Sequence, residues 1–423
     1  MADADSPSTA AMLMLDDLRI VELSCFDPMP YFASAMAGKT MAEFGAEVIK
    51  VEPPGIGAPE RSRGPFPADQ PDLETGAAHL FLNANKLGVT LDLAQTRGRE
   101  LLLQLLARAD VLFNPNMPSA NERIGLDWRE LTSRFPRLVV VSMGFFGCDS
   151  PYKNLRGGDL IANHMSGVTY ETPYNQVLDP PNEPPLKLGG RQSDYLTGYT
   201  AAACALMALQ ARKKSGRGQR VDICQWMAMV SMIRHNIGMF SHDAPEAPAR
   251  KRLMSRPKVN LQWVYPCRDG WVAMRPTTDK FWAGTMRMMG EPQWAQGELF
   301  ATEQARLENS DGVEAGMMSW LAEHDKQEVF LKAFEQRIPC FPVYNAREVA
   351  HNEQYKARDF FIECEHPVAG RVTMPGPPYR SSRATASVRR AAPILGQHNA
   401  TVYREWLGLD GEQFNGLLRE GVI

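Results

Sequence analysis

Residues 190–211 read GRQSDYLTGYTAAACALMALQA, so one acidic residue, Asp194, stands at the mouth of a run of small and apolar side chains. Two kinds of chemistry fit that placement. An aspartate at a helix N-cap accepts free N–H groups of the first turn and contributes ~1 kcal/mol. The same N–H groups and the helix dipole also keep a carboxylate ionised where water is scarce. A carboxylate held in that way can act as a covalent nucleophile. On local grounds both readings stand. Asp159, in LRGGDLIANHMSG, carries the same ambiguity: it opens a short helix as an N-cap, and the two glycines before it leave room for a ligand.

Four cations sit in turns or at element ends: Lys86 in NANKLG, Arg123 in NERIGLDW, Arg156 in NLRGGD and Arg191 in GGRQSD. Singly, each reads as a solvated surface charge. Together, on loops from four βα connections at the C-terminal edge of a parallel sheet, they would receive a polyphosphate-bearing ligand. Serine-nucleophile chemistry is not supported, because there is no GxSxG and Ser24, Ser142 and Ser193 have no histidine partner in the sequence. Cys148, in FFGCDS, has no adjacent base.

The elements that must position these groups are read from periodicity. LRIVEL (18–23), AEVIKVE (46–52), GVTLDL (88–93), DVLFN (110–114) and RLVVVSM (137–143) are short β-branched runs, and TRGRELLLQLLARA (96–109) is an amphipathic helix. Strands separated by helices of this length predict right-handed βαβ units and a mostly parallel sheet. The turn after the first strand, SCFDPMP (24–30), lacks the GxGxxG that a dinucleotide pyrophosphate needs. The helix behind Asp194 ends in KKSGRGQ (213–219), and residues 220–240 begin as a strand and continue as a Met-rich helix. SHDAPEAPARKRLMSRPK (241–258) reads as a linker, and WVYPCRDGWVAMRP (263–276) as a β-hairpin turning at Arg268-Asp269-Gly270.

Composition sets the outer bounds. With 423 residues the chain exceeds one ordinary core, so a large and a small domain are expected. A net charge of −3 gives no global attraction to nucleic acid or anionic membrane. Seven dispersed cysteines without a CxxC pair indicate reduced thiols in a cytoplasm, and eight histidines without an HxxxH or HExxH pattern give no reason to expect a metal. The N-terminal MADADSPSTAAMLML is acidic where a secretory signal would be basic.

Several motifs occur in one order along the chain: LRIVELSCFDPMP, FGAEVIKVEPPG (44–55), NANKLGVTLDL (83–93), ADVLFNPNMPSANERIGLDW (109–128), SDYLTGYTAAACALMAL, KSGRGQRVDI (214–223) and APILGQHNATVYREWLGL. This succession resembles the class III CoA-transferase (CaiB/BaiF) family from about residue 15 to the C-terminus. The resemblance implies an α/β fold in which a large Rossmann-like domain with a mostly parallel sheet is built from both ends of the chain. A smaller α+β domain lies between, and the ring-shaped chain pairs into an interlocked homodimer. The corresponding partition is 1–240, a linker at 241–258, a small domain at 259–340 and a return segment at 341–423.

The resemblance also implies transfer of CoA from an acyl-CoA thioester to a free carboxylic acid, with CoA as substrate and no permanently bound cofactor or metal. Asp194, with Gly198 four residues on, matches the family's nucleophile, and Asp159 matches an acidic position facing the site. Lys86, Arg123 and Arg156 fall at CoA-contacting positions, as do Phe26, Asp27 and Pro53 in the first two strand–helix turns. Departures are Asp27-Pro28-Met29-Pro30 where the family has a small Ala-Gly-Pro turn, Asn114 to Ser119 in a CoA-contacting loop, and Arg256 to Gln262 in place of a glycine-rich loop. Two alternatives stand beside this reading. A related racemase moves an α-proton, but Gly158 occupies the place of its histidine; a non-catalytic CoA-binding subunit is the other.

Overall fold

The β-branched runs become six parallel strands in the order β3-β2-β1-β4-β5-β6. In chain order the elements that matter are β1 (Arg19–Leu23), α1 (Ala33–Glu43), β2 (Glu47–Glu52), α2 (Ala77–Leu82), β3 (Leu87–Thr90), α3 (Thr96–Leu106), β4 (Val111–Asn114), α4 (Pro118–Arg123), α5 (Trp128–Arg134) and β5 (Val139–Gly144). They continue with α6 (Asp159–Met165), α7 (Gln192–Ser215), β6 (Arg220–Cys224) and α8 (Gln225–Val230). The coordinates are a computed structural model and describe residues 13–26, 31–172, 182–242, 263–276, 278–384 and 386–423. Asp27, residues 243–258 of the expected linker and the Arg256 to Gln262 segment therefore lie outside the described residues.

Alternation along each strand sets the two faces of this sheet. Ile20, Val48 and Val111 pack with Ala37 and Met41 of α1 and Ala201 and Ala205 of α7. Their neighbours Val21, Ile49 and Leu112 pack instead with Leu101, Leu102 and Leu105 of α3 and with Val402, Tyr403 and Leu417 from the far end of the chain. Each fully buried leucine of α3 contributes roughly 1.5–3 kcal/mol. The chain divides into two compact units, one of 1–172, 185–248 and 359–423, the other of 173–184 and 249–358.

The first unit holds the six-stranded sheet and a separate antiparallel hairpin of β10 (Phe361–His366) and β11 (Gly370–Pro375). The second holds an antiparallel sheet of β7 (Trp263–Cys267), β8 (Gly270–Met274) and β9 (Cys340–Pro342). Its core gathers Val272, Trp282, Val313, Met317 and Val329. Among the described residues no helix is long and apolar enough to cross a membrane.

Candidate active site

The packing of α7 against α1 places Asp194. At Gly198 a Cβ would stand 2.6 Å from the Cβ of Met36 and 2.7 Å from the carbonyl oxygen of Ala33, so only glycine admits α1 this closely. One turn earlier on α7 is Asp194, and at the start of α1 is Phe32, whose N–H donates to Asp194 Oδ2 at 3.4 Å. Arg191 Nε donates to the same oxygen at 2.6 Å, and Gln225 Nε2, from the first residue of α8 just after β6, donates to Oδ1 at 2.7 Å.

Asp194 does not cap its helix. It is the third residue of α7, Arg191 occupies the N-cap position, and no side chain of that residue caps the turn. Asp159 does the capping from outside: its Oδ1 accepts the backbone N–H of Ser193 at 3.1 Å and the Ser193 hydroxyl at 2.7 Å. Asp194 is thereby left to face three donors from three different segments. Asp159 is itself the first residue of α6 rather than its N-cap. The space left by Gly157 is taken by the Phe145 ring, 2.5 Å from where a Cβ would be, and not by room for a ligand.

A hydrogen-bonded chain joins the two carboxylates. Ser193 Oγ donates to Asp159 and accepts from Gln225 Nε2 at 2.9 Å, and the other hydrogen of that amide goes to Asp194. Lys187 Nζ closes the far end, donating to Asp159 Oδ2 and to the carbonyls of Leu188 and Gly190, each at 2.6 Å.

Asp194 is fully buried. Burial pushes its carboxyl up to about 6, Arg191 works against that rise, and Asp159 adds to it. The group is thus ionised at neutral pH but held near its threshold. Arg191 also lies over the Phe32 ring, with Cζ 4.1 Å from the centroid. Both line a cavity of ≈ 420 Å³ together with Arg63, Phe81 and Tyr195. Asp194 does not line it, but its partner Arg191 does.

The other expected site residues are dispersed. Lys86 precedes β3, so it is not at that strand's C-terminal end, and it is buried rather than solvated. Its Nζ meets Glu22 Oε2 at 2.7 Å, the carbonyl of Ala35 at 2.8 Å and Asn83 Oδ1 at 3.0 Å, which leaves no face for a phosphate. Phe26 and Pro53 are half-buried beyond the ends of β1 and β2; the Phe26 N–H donates to Asn116 Oδ1 at 2.8 Å. Arg123 closes α4 and Arg156 lies in the loop before α6, both exposed. Arg191, grouped with the phosphate-binding cations, is instead the partner of Asp194. Sequence reasoning missed Gln225; its one signal is a polar residue opening an otherwise apolar helix directly after a strand.

A second convergence lies elsewhere in the same unit. Single ligand-type atoms of Glu74, His79 and His366 come within 4.8 Å of one another. Local spacing does not reveal it, because His366 comes from the far end of the chain, although Glu74 and His79 are close in sequence. It is ill suited to a cation. His79 Nδ1 accepts from Asn83 Nδ2 and His366 Nδ1 accepts from the N–H groups of Val368 and Ala369, so both Nε2 atoms carry the hydrogen. Arg61 already neutralises Glu74 at 2.7 Å.

Comparison with known proteins agrees with the fold and the motif order. Residues 15–399 match the model of CoA-transferase family III. The succinyl-CoA–D-citramalate CoA-transferase of Chloroflexus aurantiacus is 30% identical over 415 residues, 97% of this chain and 98% of that one. The formyl-CoA:oxalate CoA-transferase of Streptomyces avermitilis is 28% identical over 428 residues, 97% and 99% of the two chains. Among solved structures, a CAIB/BAIF family protein from Brucella suis superposes with a TM-score of 0.80 at 25% identity, covering 93% of this chain and 99% of that one. The chain belongs to CoA-transferase family III, the CaiB/BaiF enzymes, and is an acyl-CoA:carboxylate CoA-transferase.

Proposed function

We propose that Asp194 carries CoA transfer covalently. One observation supports this above all: a buried carboxylate, ionised at neutral pH, is held by three donors from the N-cap of α1, the N-cap of α7 and the first residue of α8. Asp194 Oδ1 attacks the carbonyl carbon of the acyl-CoA. The C–S bond breaks, CoA leaves as thiolate, and an acyl–aspartyl anhydride forms. The thiolate then attacks the aspartyl carbon, and the donor acid departs as a carboxylate carrying the bridging oxygen. The acceptor carboxylate attacks the resulting aspartyl-CoA thioester and expels thiolate, which attacks the acceptor acyl carbon and regenerates Asp194. The aspartate regains its missing oxygen from the acceptor, and charge balances without any proton transfer.

Through these steps Oδ2 is the carbonyl oxygen that becomes an oxyanion, and the N–H of Phe32 and Arg191 Nε are the donors aimed at it. Oriented, water-poor reactants allow a weak nucleophile to serve. Asp159 acts through Ser193 and Gln225 and orients the carboxylate. The cavity beside Arg191 takes the acid, and the exposed Arg123 and Arg156, with Phe26 and Pro53, contact CoA.

The assembly we infer is an interlocked homodimer. Exposed apolar side chains along α7 and α8 and beyond (Tyr199, Met207, Met227, Met232, Phe240) support a second copy as the cover of that face. The seven cysteines are free thiols, which suits a cytoplasmic setting. The test of the reaction is mass spectrometry after incubation with acyl-CoA and hydroxylamine. A hydroxamate is expected on the peptide bearing Asp194; a modification elsewhere, or none, would remove the assignment.

A further inference from the structure

The cavity that Arg191 lines has a one-sided chemistry. Phe32, Phe81 and Tyr195 give it three rings, Arg63 and Arg191 give it two cations, and the rest of the wall is glycine, alanine and proline. Among the described residues no carboxylate lines it, and the Tyr195 hydroxyl is its only neutral side-chain group able to hydrogen-bond. The rings belong to one apolar patch, in which Phe81 and Tyr195 pack on a buried group that includes Phe32. Cations steady two of them: Lys39 Nζ lies 4.5 Å from the Phe81 ring centroid, and Arg191 Cζ 4.1 Å from that of Phe32. The two lining cations are not equivalent. Arg191 is engaged with Asp194 Oδ2 at 2.6 Å, where the oxyanion role above needs it. Arg63 is exposed and has no carboxylate partner among the described residues. A ligand therefore meets one unengaged guanidinium and an aromatic wall.

We propose that the acid taken here is a monocarboxylate bearing an aromatic ring, its carboxylate paired with Arg63 and its ring packed against Phe81 and Tyr195. The inference rests on the reading above, from which it takes that this cavity receives the acid, and it names the substrate class and the residues that select it. Charge fixes the first half. One carboxylate satisfies Arg63, whereas a second would enter the cavity with no unengaged cation to meet it. The wall fixes the second half. Hydroxyl or amide groups on the acid would give up water here and find almost no partner. A ring gives up little to water and gains ring–ring packing. At ≈ 420 Å³ the cavity falls in the range of small-molecule sites, about 300–1,000 Å³, and has room for a ring beside the carboxylate.

Calorimetric titration of the protein with 3-phenylpropanoate, hexanoate and succinate tests the proposal. Hexanoate keeps the single carboxylate and an apolar body but has no ring; succinate has a second carboxylate instead. 3-Phenylpropanoate should bind about tenfold more tightly than either. Phe81→Ala should remove most of its advantage over hexanoate. Arg63→Gln alters an exposed position and remains informative if Phe81→Ala fails to fold. It should weaken 3-phenylpropanoate and hexanoate by the same factor, about tenfold, and so leave the ring preference in place. Succinate or hexanoate binding as tightly as 3-phenylpropanoate, or Arg63→Gln leaving the affinities unchanged, would overturn the inference. If either occurred while a hydroxamate still formed on Asp194, the nucleophile would stand and only the substrate class would fall. The titration needs no turnover, so a missing hydroxamate beside a retained ring preference would remove the nucleophile and leave the acid site standing.

Discussion

In one part of the large unit Glu22 and Glu60 face Lys50 and Lys86, at 2.7 Å for Lys50–Glu22, 2.5 Å for Lys50–Glu60 and 2.7 Å for Lys86–Glu22. In another, Asp159 and Asp194 face Lys187 and Arg191, each pair at 2.6 Å. Both groups have two carboxylates and two cations. In the first, all four side chains are sealed from water, with at most 2% exposed. In the second the carboxylates are buried while the cations keep 28% and 26% of their surface. A sealed set fixes a geometry, since no member can leave without stranding its partners. A set whose cations reach the surface can exchange them. Burial of charge therefore does not mark a site by itself; the freedom of the counter-charge does.

Breaking each set should separate these roles. Replacing Asp194 by alanine should lower CoA transfer on the order of 10³-fold or more, measured as exchange between acyl-CoA and a panel of carboxylic acids. Lys86→Met should instead reduce stability by roughly 3–5 kcal/mol, since it leaves Glu22 charged and under-paired; urea unfolding reads this. Should Lys86→Met lose activity without losing stability, the contrast between the two sets would be wrong. Gln225→Leu should lower kcat about tenfold with a smaller change in KM, because it removes a charged hydrogen bond from Asp194, the proposed nucleophile, rather than from the substrate.

The smallest effect is on pH dependence. The folded carboxyl of Asp194 lies near 6 against an ordinary 3.8, so the native state binds its proton more tightly than the unfolded chain. Its contribution to stability consequently falls as pH rises from about 4 to 6, by an amount of roughly 1–3 kcal/mol. Activity moves the other way, declining as pH drops through about 6. Asp194→Asn should remove this component of the stability slope, compared by urea unfolding at pH 4.5 and 7.

The strands and their parallel arrangement were legible because β-branched runs such as VVVSM, spaced by helices, have few alternatives. Asp194 was legible as an acid at a helix entrance, since the small residues behind it signal close packing. Its partners were not. Gln225 is 31 residues away along the chain and Phe32 162, and both reach the site only after β6 and α1 are placed. Lys86 reads as a surface cation because NANKLG is a polar turn; its burial depends on Glu22 and Ala35, brought near by the β1–β2–β3 register. The capping of α7 by Asp159 exchanges the local role expected of one aspartate for a long-range role of another.

Gln225 has an acceptor, Oε1, that is buried and unmatched among the described residues. A carboxamide with an idle end can rotate by half a turn and offer oxygen where it had offered nitrogen. Should Asp194 take up a proton, the same glutamine could then accept from it instead of donating to it. The turn would also set that oxygen against Ser193 Oγ, which now accepts from Nε2, so the serine hydroxyl would swing from Asp159 to Gln225 in the same event.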